Sequence, residues 1–544
     1  MTHWTILPIV VPALTAALIV LLARQDLVLQ RFLSIVSALA VFVIAVGLVV
    51  HATGNPPYSY ELGNWPAPFG IVLVLDRLSA AMVLVTMLLV LAVLIYSLAG
   101  WDKRGRHFHA LFQFQIMGIN GAFLTGDLFN LFVFFEVLLI ASYGLMLHGS
   151  GATRLKAGMQ YVVVNLMGSS LFLVAMALLY GVTGTLNMAD LALRVGQVDS
   201  GDLALVQVGA LLLLMVFAIK AALVPLHFWL PATYAAAAAP VAALFAIMTK
   251  VGGYSILRVY TLIFGERAGD ISWIAQDWIM PAALVTLVVG MLGVMAGRSL
   301  RDLICFSVIG SMGTLMVAFA LFNETAVSAG LYYMVHSTFI AGALFLIAEL
   351  VINGRSDGQD TLAFGLPLRR EALLSGLFFL AAIGMVGMPP LSGFVGKLLI
   401  LNGATGTPYV AWIWGVILST SLFNIIGFSR AGSILFWKSQ AEAVAQSSGP
   451  SAPMESVSRK EQGQGPDSGL GIASAAFLLS LIGLLTAFSG PVSQYFDTTA
   501  AQLLDGRPYI EAVLGSDVPT ESGLGSSPEA AGTEDGLGEE GDMQ

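Results

Sequence analysis

Apolar runs of about twenty residues, parted by short polar or Gly/Pro-bearing connections, recur along almost the whole chain. A helix needs ~20 apolar residues to cross the ~30 Å hydrocarbon core of a bilayer. Windows of that length fall near 4–23, 32–50, 78–99, 108–125, 127–147, 157–180, 203–229, 240–264, 280–297, 303–322, 325–352, 372–402, 409–437 and 470–488. The pattern predicts an all-α polytopic membrane protein with about 14 transmembrane helices. Stretches 51–70 and 181–202 read as loops. Residues 441–469, rich in Ser, Gly, Gln and Pro, read as a flexible cytoplasmic loop ahead of a last transmembrane helix at 470–490. Residues 491–544 read as an acidic, disordered tail outside the cytoplasm.

Two windows break the pattern from within. Between Val216 and Lys250 the prolines Pro225, Pro231 and Pro240 interrupt any helix, because proline offers no backbone donor and collides with the preceding turn. The run GMVGMPPLSGFVGK repeats the interruption with Pro389 and Pro390. Broken backbone at membrane depth is tolerated only where protein or a water-filled cavity satisfies the freed groups. Each break has a lysine beside it, Lys220 before the first and Lys397 after the second. Lys250 lies ten residues into its own window, ~15 Å along a helix and so near the midplane. A charged group in a span costs roughly 2.5–3.5 kcal/mol on insertion scales, and such groups mark ion pathways. A structural ion pair is the alternative for each lysine.

Composition confirms the class and narrows the chemistry. The 544 residues are 57% hydrophobic and 10% charged, against about 25% charged in a soluble chain. The single cysteine, Cys305, excludes an internal disulfide and a cysteine-cluster metal site. The N-terminus lacks a positive leader region, and its first apolar run reads as a retained helix. Beyond Arg507 there are nine acids and no Lys or Arg, so the net charge of −9 belongs to the tail. Fifteen Lys and Arg fall in alternate connections, from Arg24 and Arg31 through Lys103, Arg154 and Arg301 to Lys460. The opposite side holds only Arg77, Arg194, Arg267 and Arg507, which places both termini outside the cytoplasm. Arg258 and Arg430, near the ends of their windows, read as snorkelling side chains.

The remaining polar groups suggest a proton path. Glu136 lies nine residues past Asp127, ~14 Å deep, while Asp127 itself suits a helix N-cap. A carboxylate and a lysine that approach and part act as a proton switch, since proximity favours the ammonium and separation releases its proton. His336, about eleven residues into its window, can relay a proton or be satisfied by a neighbouring carbonyl or hydroxyl. His227, just past Pro225, is a candidate for proton access from the cytoplasm. Asn165, Ser169 and Ser170 either line a hydrated path or serve helix packing. Five windows from 108 to 264 and five from 280 to 437 start in opposite orientations, each set with one broken helix, as two inverted five-helix repeats require.

The segments GDLFNLFVFFEVLLIASY, KAALVPLHFWLPATYAAAAAPVAALFAIMTKVGGYSILR and MPPLSGFVGK resemble the signature segments of the antiporter-like membrane subunits. That family joins the proton-pumping subunits of respiratory complex I to the large subunits of Mrp-type sodium/proton antiporters. The likeness covers roughly 70–440 and is strongest to the D-type branch of the Mrp subunits. It implies N-terminal helices at 1–99, repeats at 100–270 and 271–440, and a relay through Glu136, Lys220, Lys250, His336 and Lys397. It also implies partner membrane subunits in a bacterial plasma membrane, with Na⁺ exchanged against protons by the assembled complex. No cofactor, metal or nucleic acid enters this reading. Two departures lengthen the path: Ser311 and Ala341 or Gly342 stand where relatives carry histidine and lysine. The stretch Leu230 to Tyr234 also lacks the carboxylate common there.

Two other readings compete. A complex I-like or membrane-hydrogenase subunit would use the same lysines under redox drive. A single-chain carrier of an organic solute would need a roomy midplane pocket with aromatic walls, and no such cluster is visible. Bond-making enzyme chemistry finds no nucleophile–base or metal-ligand spacing.

Overall fold

A computed structural model describes residues 3–105, 107–355, 360–363, 370–438 and 468–515. The expected loop at 441–469 and the tail beyond 515 lie almost wholly outside these residues. The chain opens with α1 (Leu7–Leu22) and α2 (Leu27–Gly54), followed by β1 (Tyr58–Glu61) and β2 (Val72–Leu75). Next come α3 (Arg77–Leu98), α4 (Phe108–Leu124), α5 (Leu128–Met146), α6 (Ala152–Thr183) and the short α7 (Met188–Arg194). Then follow α8 (Leu203–Ala221), α9 (Trp229–Ala236), α10 (Ala239–Leu262), α11 (Gln276–Ala296), α12 (Leu300–Phe319) and α13 (Glu324–Gly354). The last are α14 (Glu371–Val386), α15 (Ser392–Gly403), α16 (Val410–Gly432), α17 (Ser468–Ala487), α18 (Ser489–Asp505) and α19 (Arg507–Leu514). Among the described residues, 11 helices are long and apolar enough to cross a membrane.

The all-α expectation needs one amendment. Part of the predicted loop at 51–70 is a β-strand, and it pairs antiparallel with β2, Tyr58 opposite Leu75. The tail expected from 491 also folds in its first part. Phe496, Thr499, Ala500 and Leu503 are buried at helical spacing, and that stripe docks α18 on α13 and α10. Ser328 Oγ donates to Asp497 (2.6 Å) and Tyr495 Oη donates to the Arg77 carbonyl (2.7 Å).

Burial sorts the helices. α10 and α13 are buried along their whole apolar windows, with α12 and α3 close behind. Around α10 pack α3, α8, α12 and α13. α2, α6, α16 and α17 expose most of theirs to the surroundings. Lys250 and His336, on α10 and α13, therefore sit where protein surrounds them, whereas Glu136 and His227 are only partly buried.

Both interrupted windows break as proline predicts, and in the same way. α8 ends in Ala222 at φ +55°, and α14 in Gly387 at φ +81°, a left-handed cap in each case. The amide after the cap returns to the helix, Leu223 N to Ala218 O (3.0 Å) and Met388 N to Ile383 O (3.1 Å). A proline follows three residues past each cap, Pro225 and Pro390, and forbids continuation. Two isolated bridges also correspond, Asp127 with Asn187 and Ser299 with Thr361, each tying a helix N-cap to a later loop.

Candidate functional site

The first break holds Lys220 in the last turn of α8, 8% exposed. Its Nζ donates to Asn165 Oδ1 on α6 at 2.8 Å and stands 5.7 Å from the centre of the Phe135 ring. Close approach of α10 makes this possible. A Cβ on Gly252 would lie 2.6 Å from Ala221 N and 2.9 Å from Lys220 C, so only glycine lets the helices touch there. Trp229 Nε1 donates to Ile219 O (3.0 Å), a last-turn carbonyl that also accepts from the cap amide of Ala222 (3.2 Å). A cavity of ≈ 10 Å³, about the room of one water, adjoins Lys220, Asn165, Tyr161 and Trp229.

Glu136 does not pair with Lys220. Its Oε1 accepts from Ser169 Oγ, also on α6. Ser170 instead donates to Leu166 O within its own helix and faces outward, so of the two serines only Ser169 joins the site. Asp127 caps α5 as expected, accepting from Asn130 N at 2.8 Å. His227 lies in the break between α8 and α9, and its Nδ1 is buried with no partner among the described residues.

Lys250, at the middle of α10, is 0% exposed. Its Nζ has one hydrogen bond, a long one of 3.5 Å to Thr249 Oγ1. No carboxylate neutralises it among the described residues.

The second break gathers donors on one helix end. Lys397 Nζ, on α15, donates to Val386 O at 2.8 Å and to Ser421 Oγ on α16 at 3.0 Å. Asn424 Nδ2 reaches Met385 O (3.3 Å), and His336 Nε2 faces Gly384 O (3.1 Å). The last three carbonyls of α14 thus each have a side-chain donor, and a cation at a helix C-terminus is favoured by the aligned peptide dipoles. His336 Nδ1 faces Ser392 Oγ at 2.8 Å, so the imidazole bridges the two half-helices as a hydrogen-bonded histidine. Carbonyl and hydroxyl together suit a neutral ring that donates from Nε2 and accepts at Nδ1.

One expectation is overturned. Arg258 does not snorkel: it is 3% exposed and its Nη2 meets Asp76 Oδ2 at 2.6 Å. Tyr254 and Tyr509 stack near the guanidinium at 5.5 and 5.1 Å. The cause is the place of α10 at the centre, which leaves no lipid face to snorkel along. Arg430 is exposed as expected and donates to Gly297 O (2.7 Å).

Sequence reading also missed groups at the end of the bundle that carries most of the basic connections. Glu349, buried on α13, pairs with Arg301, which in turn donates to Ala235 O at the end of α9. Arg154 donates to the neighbouring Ala236 O at 2.9 Å. Asp102, outside the spans, is buried, yet hydrogen bonds from His109 and Arg31 hold its carboxyl below the usual range. Among the described residues no three His, Cys, Asp or Glu gather in a way that suits a metal ion.

Comparison with known proteins bears on this arrangement. Residues 125–424 match the family described as NADH:quinone oxidoreductase/Mrp antiporter, transmembrane. The chain is 40% identical to the D subunit of a probable K(+)/H(+) antiporter of Rhizobium meliloti (strain 1021), over 94% of this chain and 97% of that one. It is 37% identical to the D subunit of the Na(+)/H(+) antiporter of Bacillus subtilis (strain 168), over 94% and 100%. A chain of the Mrp complex from Dietzia sp. DQ12-45-1b superposes with TM-score 0.82 at 29% identity, over 95% of this chain and all of that one.

Proposed function

Because this chain belongs to the NADH:quinone oxidoreductase/Mrp antiporter family, we propose that its buried lysines carry protons through a multi-subunit cation/proton antiporter. The chain is one subunit of such an antiporter, as its D-type relatives are named, and works beside other membrane subunits. One observation carries the proton reading: Lys220, Lys250 and Lys397 are all buried, and no carboxylate pairs with any of them among the described residues. A lysine that only held helices together would have an acidic partner at this depth, as Arg258 has Asp76. The path runs from His227 or nearby water through Glu136 and Lys220 to Lys250, then His336 and Lys397.

Several finer features belong to the same reading. Counting α1, α4 and the paired halves α8–α9 and α14–α15 as spans gives the fourteen expected from the sequence. The matching breaks and bridges support two inverted repeats, α4–α10 and α11–α16. The basic connections would face the cytoplasm of a bacterial cell, with both termini outside. We take sodium as the exchanged cation; potassium, raised by the name of the R. meliloti relative, is its rival. Identity of 40% and 37% to these D-type relatives favours this assignment over a redox-driven subunit.

The test is cation-dependent proton exchange by the assembled complex in membrane vesicles, measured with Na⁺ and with K⁺. Lys220→Ala is expected to abolish exchange while the complex still forms. Lys220→Arg is expected to fail too, since arginine keeps its proton at any accessible pH. Near-normal exchange by Lys220→Arg would show that a fixed charge suffices, and the proton-carrier reading would fall.

A further inference from the structure

The side chains that hydrogen-bond to Glu136 and Lys220 are neutral, and both come from one face of one helix. Asn165 and Ser169 are four residues apart on α6, one turn along the same face. Asn165 Nδ2 donates to Tyr161 O at 2.8 Å, which turns its amide oxygen toward Lys220 Nζ, also at 2.8 Å. Ser169 Oγ donates to Glu136 Oε1. We propose that Asn165 and Ser169 are positioning residues that hold Lys220 and Glu136 in separate resting places, and that the proton step exchanges these neutral partners for a direct Glu136–Lys220 contact. The proposal rests on Lys220 being a proton carrier.

The chemistry of the two partners fits that task. An amide oxygen accepts a hydrogen bond from an ammonium or from a neutral amine, and takes up no proton itself. Asn165 therefore keeps the lysine in place without deciding its charge. A carboxylate there would hold the ammonium. The serine hydroxyl likewise satisfies one oxygen of Glu136 without neutralising it. The two resting places are near each other, because Asn165 and Ser169, which hold them, lie one turn apart on α6. The water-sized cavity beside Phe135, Asn165 and Lys220 gives the ammonium room to leave the amide. Around Lys220 the titratable groups are Glu136 on α5 and Tyr161 on α6, with Tyr143 of α5 packed against Tyr161. Only Glu136 among them brings a negative charge.

The experiment is the pH profile of exchange by the assembled complex in vesicles. Asn165→Asp gives Lys220 a permanent carboxylate partner. It is expected to slow exchange severalfold at neutral pH and to move the optimum upward by about one unit or more. Ser169→Ala frees Glu136 to stay with Lys220 and is expected to move the optimum the same way by less, whereas Ser169→Thr, which keeps the hydroxyl, should leave it in place. If Asn165→Asp does not assemble, the contrast between Ser169→Ala and Ser169→Thr decides. Wild-type profiles in both Asn165→Asp and Ser169→Ala, with Lys220→Ala inactive, would overturn the positioning role and leave the lysine's role standing. Full exchange by Lys220→Ala would remove both.

Discussion

The two helix breaks have the same backbone and different occupants. In each, a left-handed cap is followed three residues later by proline, and the carbonyl three residues before the cap is taken by an aromatic N–H. At the first break that donor is the indole of Trp229, which has no proton to trade. At the second it is the imidazole of His336. The lysines differ in parallel. Lys220 precedes its break and is held by a side chain from another helix. Lys397 follows its break and, besides Ser421 Oγ on α16, reaches back to a main-chain oxygen, Val386 O, which cannot turn away. The same scaffold therefore supports a lysine held by a side chain alone at one place and a lysine anchored to the main chain as well at the other. Repeated architecture does not imply repeated chemistry.

Substitutions at equivalent points can break this contrast or sharpen it. The largest effect is expected from Lys397→Ala, which should abolish exchange in vesicles while the complex assembles. Retained exchange would mean that the second lysine only plugs the end of α14. Next, His336→Gln should lower exchange by tenfold or more, in line with the ~10²–10⁴ typical of a lost acid–base group, whereas Trp229→Phe should cost little transport. Equal losses in the two would reduce His336 to a hydrogen-bond donor like the indole. The smallest expected effect concerns stability. A Cβ at Gly393 would lie 2.3 Å from Gly384 O and 2.7 Å from His336 Nε2, so Gly393→Ala should destabilise the second break as Gly252→Ala does the first. Overpacking of this kind costs typically ~1–3 kcal/mol. Thermal melting of the purified complex reads it, and unchanged melting in both variants would show that the breaks yield easily.

Much of this was readable in advance because charge and proline are conspicuous in apolar surroundings. Lys220, Lys250, Lys397 and Glu136 stand out in their windows, and Pro225 and Pro390 mark the breaks to within a few residues. Their partners were not readable. Ser169 and Ser170 are adjacent in sequence but point about 100° apart on a helix, and on α6, largely exposed, apolar periodicity does not say which face is inward. The Asp76–Arg258 pair joins residues far apart in the chain, and no local pattern predicts it. Glu349 escaped notice because it lies three residues from the end of its window, where a charge is ordinary. The docking stripe at Phe496, Thr499, Ala500 and Leu503 was present in the sequence but hidden by the polar composition around it.

The complete enclosure of α10 bears on how the chain gets into a bilayer at all. It is the least apolar of the eleven long spans and carries both Lys250 and Arg258. Released alone from a translocon, it would meet a cost of about 5–7 kcal/mol for those two cations. Asp76 offsets part of that, and it is already synthesised when α10 emerges. α12 and α13, which complete the surround, come later in the chain. α10 must therefore linger beside the translocon or at the interface until its later neighbours arrive, and integration at this point is a collective event of several helices rather than a sequence of single insertions.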